Sequence, residues 1–175
     1  MDLGLAGKTA IVTGGSRGIG KAIALELARE GVRVAIVARD ASALDAAAAE
    51  IAAETGSHLV AIAGDTGSDR SVKAIVARAA QELGGIDILV NAAAQPGGQA
   101  PPPKLAEIDD AVAWPDLNVK VLGYLRCIRE VAPHMAARGG GRIVRHLGTR
   151  CAVDGLDDRE HAQRGGGGAD QERGG

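Results

Sequence analysis

Aromatic side chains are nearly missing from this sequence of 175 residues, which has one Trp, one Tyr and no Phe. The core therefore has to be built from Ala, Val, Ile and Leu. The hydrophobic content of 46% is enough for one single-core domain, and the length is too short for two. The two cysteines, Cys127 and Cys151, are far apart and form no CxxC motif. This spacing argues against a disulfide framework and a cysteine zinc site.

A surplus of basic charge is also missing. The formal net charge is -2, and Lys and Arg are spread through the chain, so we expect no nucleic acid or membrane partner. No apolar run approaches the ~20 residues that a membrane span needs, and the start of the chain does not resemble a signal peptide. The histidines are isolated, so no metal site is expected. These features favour a cytoplasmic protein that binds a small neutral or anionic ligand.

Short runs rich in Val and Ile alternate with longer segments that have helical spacing. The runs are at 8–14, 32–38, 58–64, 86–92 and 141–146, and the last helical stretch extends from about 105 to 138. Runs of this kind are typical of strands buried on both faces. Strand and helix in alternation predict an α/β fold, with about five parallel strands joined by right-handed crossovers and covered by helices on both sides.

The turn after the first predicted strand, TGGSRGIG, contains Gly14, Gly18 and Gly20. Glycine allows a tight turn and close backbone approach, and the following helix offers unpaired N–H groups and a positive dipole end to a pyrophosphate. Residues 15–21 also fit the GxxxxGK loop of nucleoside triphosphatases, but Ala22 stands where a Ser or Thr must bind magnesium. A glycine turn without a ligand is the other alternative. We predict an anion-binding turn.

These motifs, in this order, resemble the short-chain dehydrogenase/reductase family over residues 5–144. The glycine turn is similar to the family's TGxxxGxG, Gly64-Asp65 stands where the family holds the adenine, and NAAA at 91–94 stands where NNAG is expected. The resemblance implies a Rossmann-type doubly wound sheet of order 3-2-1-4-5-6-7, of which this chain would lack the last two strands. It implies a nicotinamide dinucleotide as cofactor and Asn118 as a catalytic residue. The cofactor-binding residues that we predict are Gly14, Ser16, Arg17, Gly18, Ile19, Gly20, Arg39, Asp65, Thr66, Asn91, Ala92 and Ala93.

The charge at the end of the second strand predicts which dinucleotide is bound. An acidic residue there would hold the ribose hydroxyls of NAD, but the strand ends in Ala38-Arg39, and Arg17 projects from the glycine turn toward the same place. Two guanidinium groups suit a 2'-phosphate. The alternative is that Arg39 and Asp40 form a solvated pair at the strand end. We predict NADP in preference to NAD.

The catalytic Ser and the Tyr-x-x-x-Lys pair of the family are absent. Counted from the fifth strand, the Ser position falls at Gly148, and the Tyr and Lys positions fall near His161 and Gly165. Thr149 and His161 are poor substitutes, because a glycine-rich segment cannot hold a proton donor firmly. The single tyrosine, Tyr124, is interpreted as a packing residue. Two functions stay open: an NAD(P)H-dependent oxidoreductase of carbonyl or hydroxyl groups, with a small-molecule substrate, or a non-catalytic dinucleotide-binding remnant of such an enzyme.

The regular patterning stops close to the end of the chain. We expect an incomplete NADP-binding Rossmann domain at 1–147 and a disordered, glycine-rich tail at 148–175. Residues 146–174 can be back-translated into codons and read in a frame shifted by one base. The shifted frame permits the segment RNAAVAALTKSVA, which resembles the family's helix after the fifth strand. A frameshift near Arg145 is therefore one hypothesis, and a native disordered tail is the alternative. Gene sequencing that finds no overlapping family-like frame would refute the shift.

Loss of the last two strands would leave the fifth strand at the edge of the sheet. Its Ile143 and Val144 would then be exposed to water. We expect a compact unit at 5–94, a poorly protected region at 105–145 and self-association through the exposed edge. The long helix at about 105–138, which the resemblance places in a dimer surface, is the expected contact of a homo-oligomer.

Overall fold

Five parallel strands form one sheet in the computed structural model, which describes residues 3–94 and 104–146. The strands are β1 (Thr9–Thr13), β2 (Arg33–Ala38), β3 (Val60–Ala63), β4 (Ile88–Asn91) and β5 (Arg142–Arg145). Their order is β3-β2-β1-β4-β5, and every neighbouring pair is parallel. The order reverses direction beside β1, so the sheet is doubly wound. This confirms the predicted α/β Rossmann-type fold class.

Helices cover both faces of the sheet. They are α1 (Gly18–Arg29), α2 (Ala41–Thr55), α3 (Asp69–Leu83), α4 (Asp110–Leu117) and α5 (Tyr124–Ala137). A short 3-10 turn (Leu105–Glu107) precedes α4, and a π-helical segment (Asn118–Gly123) joins α4 to α5. Side chains from α1 and α2 pack on one face of the sheet, and those from α3 and α5 pack on the other. Successive strand residues such as Ile11 and Val12 therefore enter opposite cores.

Local signals in the sequence explain where the helices begin and end. The Asp40 carboxylate accepts a hydrogen bond from the Ala43 N–H and caps α2, and the Ser68 hydroxyl accepts one from the Ser71 N–H and caps α3. Gly56, at the end of α2, is in the left-handed conformation that glycine adopts most easily. The strands begin and end within two residues of the predicted runs.

The predicted helical stretch at 105–138 is divided into unequal parts. α4 has no buried residue, whereas α5 buries Tyr124, Cys127, Val131 and Met135. These four residues recur at helical spacing and pack with α3 and the sheet. α5 therefore packs its apolar stripe without further strands. The poor protection expected for 105–145 stays a prediction.

β5 is the edge strand of the described sheet, paired with β4 alone. All four of its residues are exposed, including Ile143 and Val144, as predicted. Most of the loop at 96–104 and the whole tail at 148–175 lie outside the described residues, as do Gly148, Thr149, His161 and Gly165. The tail and frameshift hypotheses stay predictions.

Candidate functional site: a nucleotide cleft

A cleft of about 800 Å³ lies at the carboxyl ends of the strands. This is the edge where open parallel sheets bind ligands, and the volume is within the usual range for ligand pockets. The predicted site residues that line it are Gly14, Ser16, Arg17, Gly18, Ile19, Gly20, Arg39, Asp65, Thr66, Ala92 and Ala93. Two predicted residues, Asn91 and Asn118, are not in its wall.

Geometry explains three of the glycines in the turn. A Cβ on Gly20 would lie 2.2 Å from the Gly14 carbonyl oxygen, and one on Gly14 would lie 2.7 Å from the Ala92 oxygen. These two glycines therefore allow the turn to close against its neighbours. Gly18 differs, because its φ is +55° and a Cβ there would meet open space. Its missing side chain leaves room on the cleft side, as the predicted anion cradle requires.

The N-terminus of α1 opens onto the glycine turn. Arg17 is the N-cap residue, and its side chain forms no capping hydrogen bond in the described part of the chain. The first N–H groups of a helix have no partner within the helix, and they carry the positive end of its dipole. Gly14 and Gly15 donate their N–H groups to the Val37 oxygen, which fixes the turn to the end of β2. The arrangement can bind an anion at the start of α1.

Two guanidinium groups stand near the end of β2. Arg17 and Arg39 both line the cleft, and within the described residues neither forms an ion pair. Asp40 forms no ion pair with Arg39 in the described part of the chain, and its carboxylate accepts the Ala43 N–H at 3.1 Å as the cap of α2. The positive charge of this end of the cleft therefore stays available to a ligand.

Asp65 and Thr66 follow β3 and form another part of the wall. The Asp65 carboxylate accepts the Gly67 N–H at 2.8 Å, and the Asp65 N–H donates to the Ser71 hydroxyl at 2.8 Å. Both contacts hold the aspartate in one orientation at the rim. The pair Gly64-Asp65 thus lies at the carboxyl end of β3, where the sequence resemblance places the adenine.

The turn after β4 is held by Thr13, which the sequence analysis did not select. Its hydroxyl oxygen accepts the N–H groups of Ala92 at 3.1 Å and Ala93 at 3.2 Å. Asn91 is fully buried, and its side-chain amide has no hydrogen-bond partner in the described part of the chain. Ala92 and Ala93 therefore present their backbone to the cleft, while Asn91 lies beneath it.

Asn118 joins two structural elements. Its side-chain N–H donates to the Gly67 oxygen at 3.2 Å, and its side-chain oxygen accepts from the Arg126 guanidinium at 3.0 Å. Its neighbours Val119 and Lys120 line the cleft instead. The catalytic role of Asn118 stays a prediction. A π-helical segment changes which residues share a face, and no signal in the sequence indicated that change.

Tyr124 lies beneath the turn after β4. Its hydroxyl oxygen is 3.0 Å from the backbone oxygens of both Ala93 and His146, so its single proton can donate to either one. Burial raises the pKa of Tyr124. His146 also lines the cleft and was not predicted. Its position directly after β5 could have indicated it, because ligands bind at the carboxyl ends of the strands.

The described residues contain no cluster of three or more His, Cys, Asp or Glu side chains arranged to hold a metal ion. Across the same part of the chain, we find no helix with the length and apolar character of a membrane span.

A doubly wound parallel sheet, with a glycine turn opening onto a cleft at its switch point, defines a Rossmann-type nucleotide-binding protein. Comparison with known families makes the assignment more specific. The family model for short chain dehydrogenases matches residues 8–150. The chain belongs to that family.

Individual relatives agree with this assignment. The chain is 36% identical over 157 residues to D-threitol dehydrogenase of Mycolicibacterium smegmatis, covering 89% of this chain and 58% of the relative. It is 39% identical over 139 residues to 2-dehydro-3-deoxy-L-rhamnonate dehydrogenase (NAD(+)) of a Sphingomonas species, covering 79% and 53%.

Among solved structures, L-sorbose reductase from Gluconobacter frateurii, complexed with NADPH and L-sorbose, is similar with a TM-score of 0.73 and 36% identity. The match covers 83% of this chain and 54% of the reductase. The chain thus spans about half the length of these relatives.

Proposed function

We propose that this chain binds NADP(H) in the cleft, in preference to NAD(H), and serves in the oxidation or reduction of a hydroxyl or carbonyl group on a small molecule. Membership of a family of dehydrogenases supports the reaction class. When bound, a nicotinamide dinucleotide supplies hydride transfer. The chain's own residues provide the anion cradle at α1 and the wall formed by Ala92 and Ala93. The proposal includes a cytoplasmic location.

The observation that carries the preference for NADP(H) is the unpaired charge near the end of β2. Arg17 and Arg39 line the cleft without an ion pair in the described part of the chain, while Asp40 is used as a helix cap. A guanidinium group binds phosphate through two parallel hydrogen bonds. The relatives do not decide the matter, because one is named for NAD(+) and another is complexed with NADPH.

Replacement of Arg39 tests this preference directly. We expect Arg39→Gln to weaken NADP+ binding about tenfold or more and to leave NAD+ binding nearly unchanged, because a charge-assisted hydrogen bond contributes about 1.5–3 kcal/mol. Isothermal titration calorimetry with both dinucleotides measures the two affinities. Arg33→Gln is the matched control, since Arg33 is exposed at the opposite end of the same strand. Tighter binding of NAD+ than of NADP+ by the unaltered chain would overturn the preference.

A second candidate function is dinucleotide binding without turnover. It is favoured by the sequence, which has no Ser after Ser71 and no Lys four residues after its single tyrosine, Tyr124. A hydride-transfer assay with mixed ketones and alcohols, followed at the absorbance of the reduced nicotinamide, separates the two functions. Turnover that is abolished by replacement of Arg17 supports the oxidoreductase. Binding of NADP(H) without turnover supports the remnant.

A further inference from the structure

Lys120 is a cation in the wall of the cleft that neither the sequence analysis nor the resemblance selected. It lies in the π-helical segment, and its side chain is 26% exposed. It lines the cleft together with Val119, Ala92, Ala93 and His146. A lysine in a ligand cleft offers three N–H donors on a flexible stem. Its position in the cleft indicates which part of a ligand it can reach.

Contacts of neighbouring residues place Lys120 toward β4 and β5. Tyr124 comes four residues later, and its hydroxyl meets the backbone of Ala93 and His146. Asn118, two residues before Lys120, is turned to the other side and donates to Gly67 after β3. Because Lys120 lines the same cleft as Ala92, Ala93 and His146, its flexible side chain can reach the turns that follow β4 and β5.

This part of the cleft is separated from Arg39 by one strand of the sheet. Arg39 follows β2, and β2 and β4 lie on opposite sides of β1. With neighbouring strands about 4.8 Å apart, the ends of β2 and β4 are separated by roughly 10 Å. A dinucleotide whose 2'-phosphate lies at Arg39 and whose pyrophosphate lies at the glycine turn would place its nicotinamide ribose near the end of β4.

The ammonium group is also free to accept such a ligand. Its ion-pair partner in the described part of the chain is Asp116, one turn away at 3.6 Å and 54% exposed, and a contact of this kind is weak. The acidic residues in the described wall are Asp40 and Asp65. Both lie on the side of β2 and β3, and both accept backbone N–H groups.

We propose that Lys120 binds the nicotinamide half of the dinucleotide, through its ribose hydroxyls and the adjoining phosphate. The proposal rests on the proposed NADP(H) function and adds a third cation, on the β4 side of the cleft, to Arg17 and Arg39. Arg17 and Arg39 then select the adenosine half, and Lys120 fixes the half that carries the reactive ring.

A comparison of two ligands tests this division. NADP+ contains both halves, whereas adenosine 2',5'-bisphosphate contains only the half assigned to Arg39. We expect Lys120→Met to weaken NADP+ binding about tenfold in calorimetric titrations and to change bisphosphate binding less than twofold. Lys120→Arg, which keeps the charge, should retain most of the NADP+ affinity. Lys73→Met is the matched control, because Lys73 also pairs with an Asp four residues before it, at 3.4 Å, and lies outside the cleft wall.

The outcomes are distinct. Equal weakening of both ligands by Lys120→Met, or no weakening of either, overturns the assignment of Lys120 while NADP(H) binding stands. If the unaltered chain binds neither NADP+ nor NAD+, the proposed function and this inference fail together. Thermal unfolding shows whether each variant is folded. If Lys120→Met does not fold, Lys120→Gln, which also removes the charge, is used in its place.

Discussion

At the scale of single residues, Asp87 is a buried carboxylate outside the cleft that several hydrogen bonds hold in place. Its carboxylate accepts the Arg138 guanidinium at 2.9 Å and both the N–H, at 2.9 Å, and the hydroxyl, at 3.0 Å, of Thr9. These contacts join the ends of β1, β4 and α5 at the edge of the sheet opposite the cleft. The Arg138 hydrogen bond, assisted by Thr9, lowers the pKa of Asp87 to about 2, against the opposing effect of burial.

Asp87 should therefore make stability depend on pH in the acid range. Its folded pKa of about 2 is below the ordinary 3.8, so its contribution is fully present above pH 4 and is lost as the pH falls toward 2. The difference corresponds to roughly 2 kcal/mol. Asp87→Asn should lower the free energy of unfolding by about that much at pH 7 and flatten its dependence between pH 4 and 2, as measured by urea unfolding.

Asp45→Asn is the matched control for Asp87, because Asp45 is exposed on α2. Asp45→Asn should change the free energy of unfolding by less than about 0.5 kcal/mol, both at pH 7 and between pH 4 and 2. An equal effect of the two replacements would contradict the role given to Asp87.

At the scale of elements, hydrophobic patterning was sufficient to predict the sheet and its helices. The strands are short, buried on both faces and bounded by Gly, Asp or Asn, so their positions could be read from runs such as 8–14 and 86–92. The glycine turn could be assigned because its spacing has a direct geometric reason in Gly14 and Gly20. Sequence alone therefore predicted the glycine turn, and its role in binding phosphate stays a prediction.

The part of the cleft wall that contains Lys120 could not be predicted in the same way. Its residues depend on a π-helical segment that brings Lys120 rather than Asn118 into the cleft wall. A π-helical turn is formed by a shift in backbone hydrogen bonding, and it leaves no period in the hydrophobic pattern. The role of Thr13 was also missed, because a buried threonine within an apolar strand has no distinguishing pattern.

Tyr124 provides a test of how α5 is fixed to the turns above it. Tyr124→Phe removes the proton donated to Ala93 or His146 and leaves the ring packed. We expect the free energy of unfolding to fall by about 1 kcal/mol, with NADP+ affinity and any turnover retained. Urea unfolding and calorimetric titration measure the two effects. A loss of turnover with no loss of stability would instead give the Tyr124 hydroxyl a chemical role and refute its interpretation as a packing residue.

At the scale of the whole molecule, the distribution of exposed apolar side chains is uneven. Several lie on α4 and the segments beside it, namely Ile108, Val112, Trp114, Leu117, Val121 and Leu125, and two more lie on β5. Exposed apolar side chains and an open strand edge both favour association between chains. We therefore expect self-association, and the backbone of β5 indicates where one contact should form.

The edge of β5 leaves part of its backbone without a neighbouring strand. Arg142 donates its N–H to the Asp87 oxygen just before β4, and His146 donates to the Asn91 oxygen at the end of β4, both at 2.9 Å. Because successive residues alternate, the N–H groups of Ile143 and Arg145 should point away from the sheet. We expect rapid hydrogen exchange at Ile143 and Arg145 in the monomer, and slower exchange as the chain concentration rises.

Ile143→Lys should shift sedimentation toward the monomer without loss of stability, because charge on an edge opposes pairing. Leu3→Lys, at a comparably exposed position near α1, should not. Slow exchange at Ile143 in a monodisperse monomer would show that the edge is covered and that association through it is wrong.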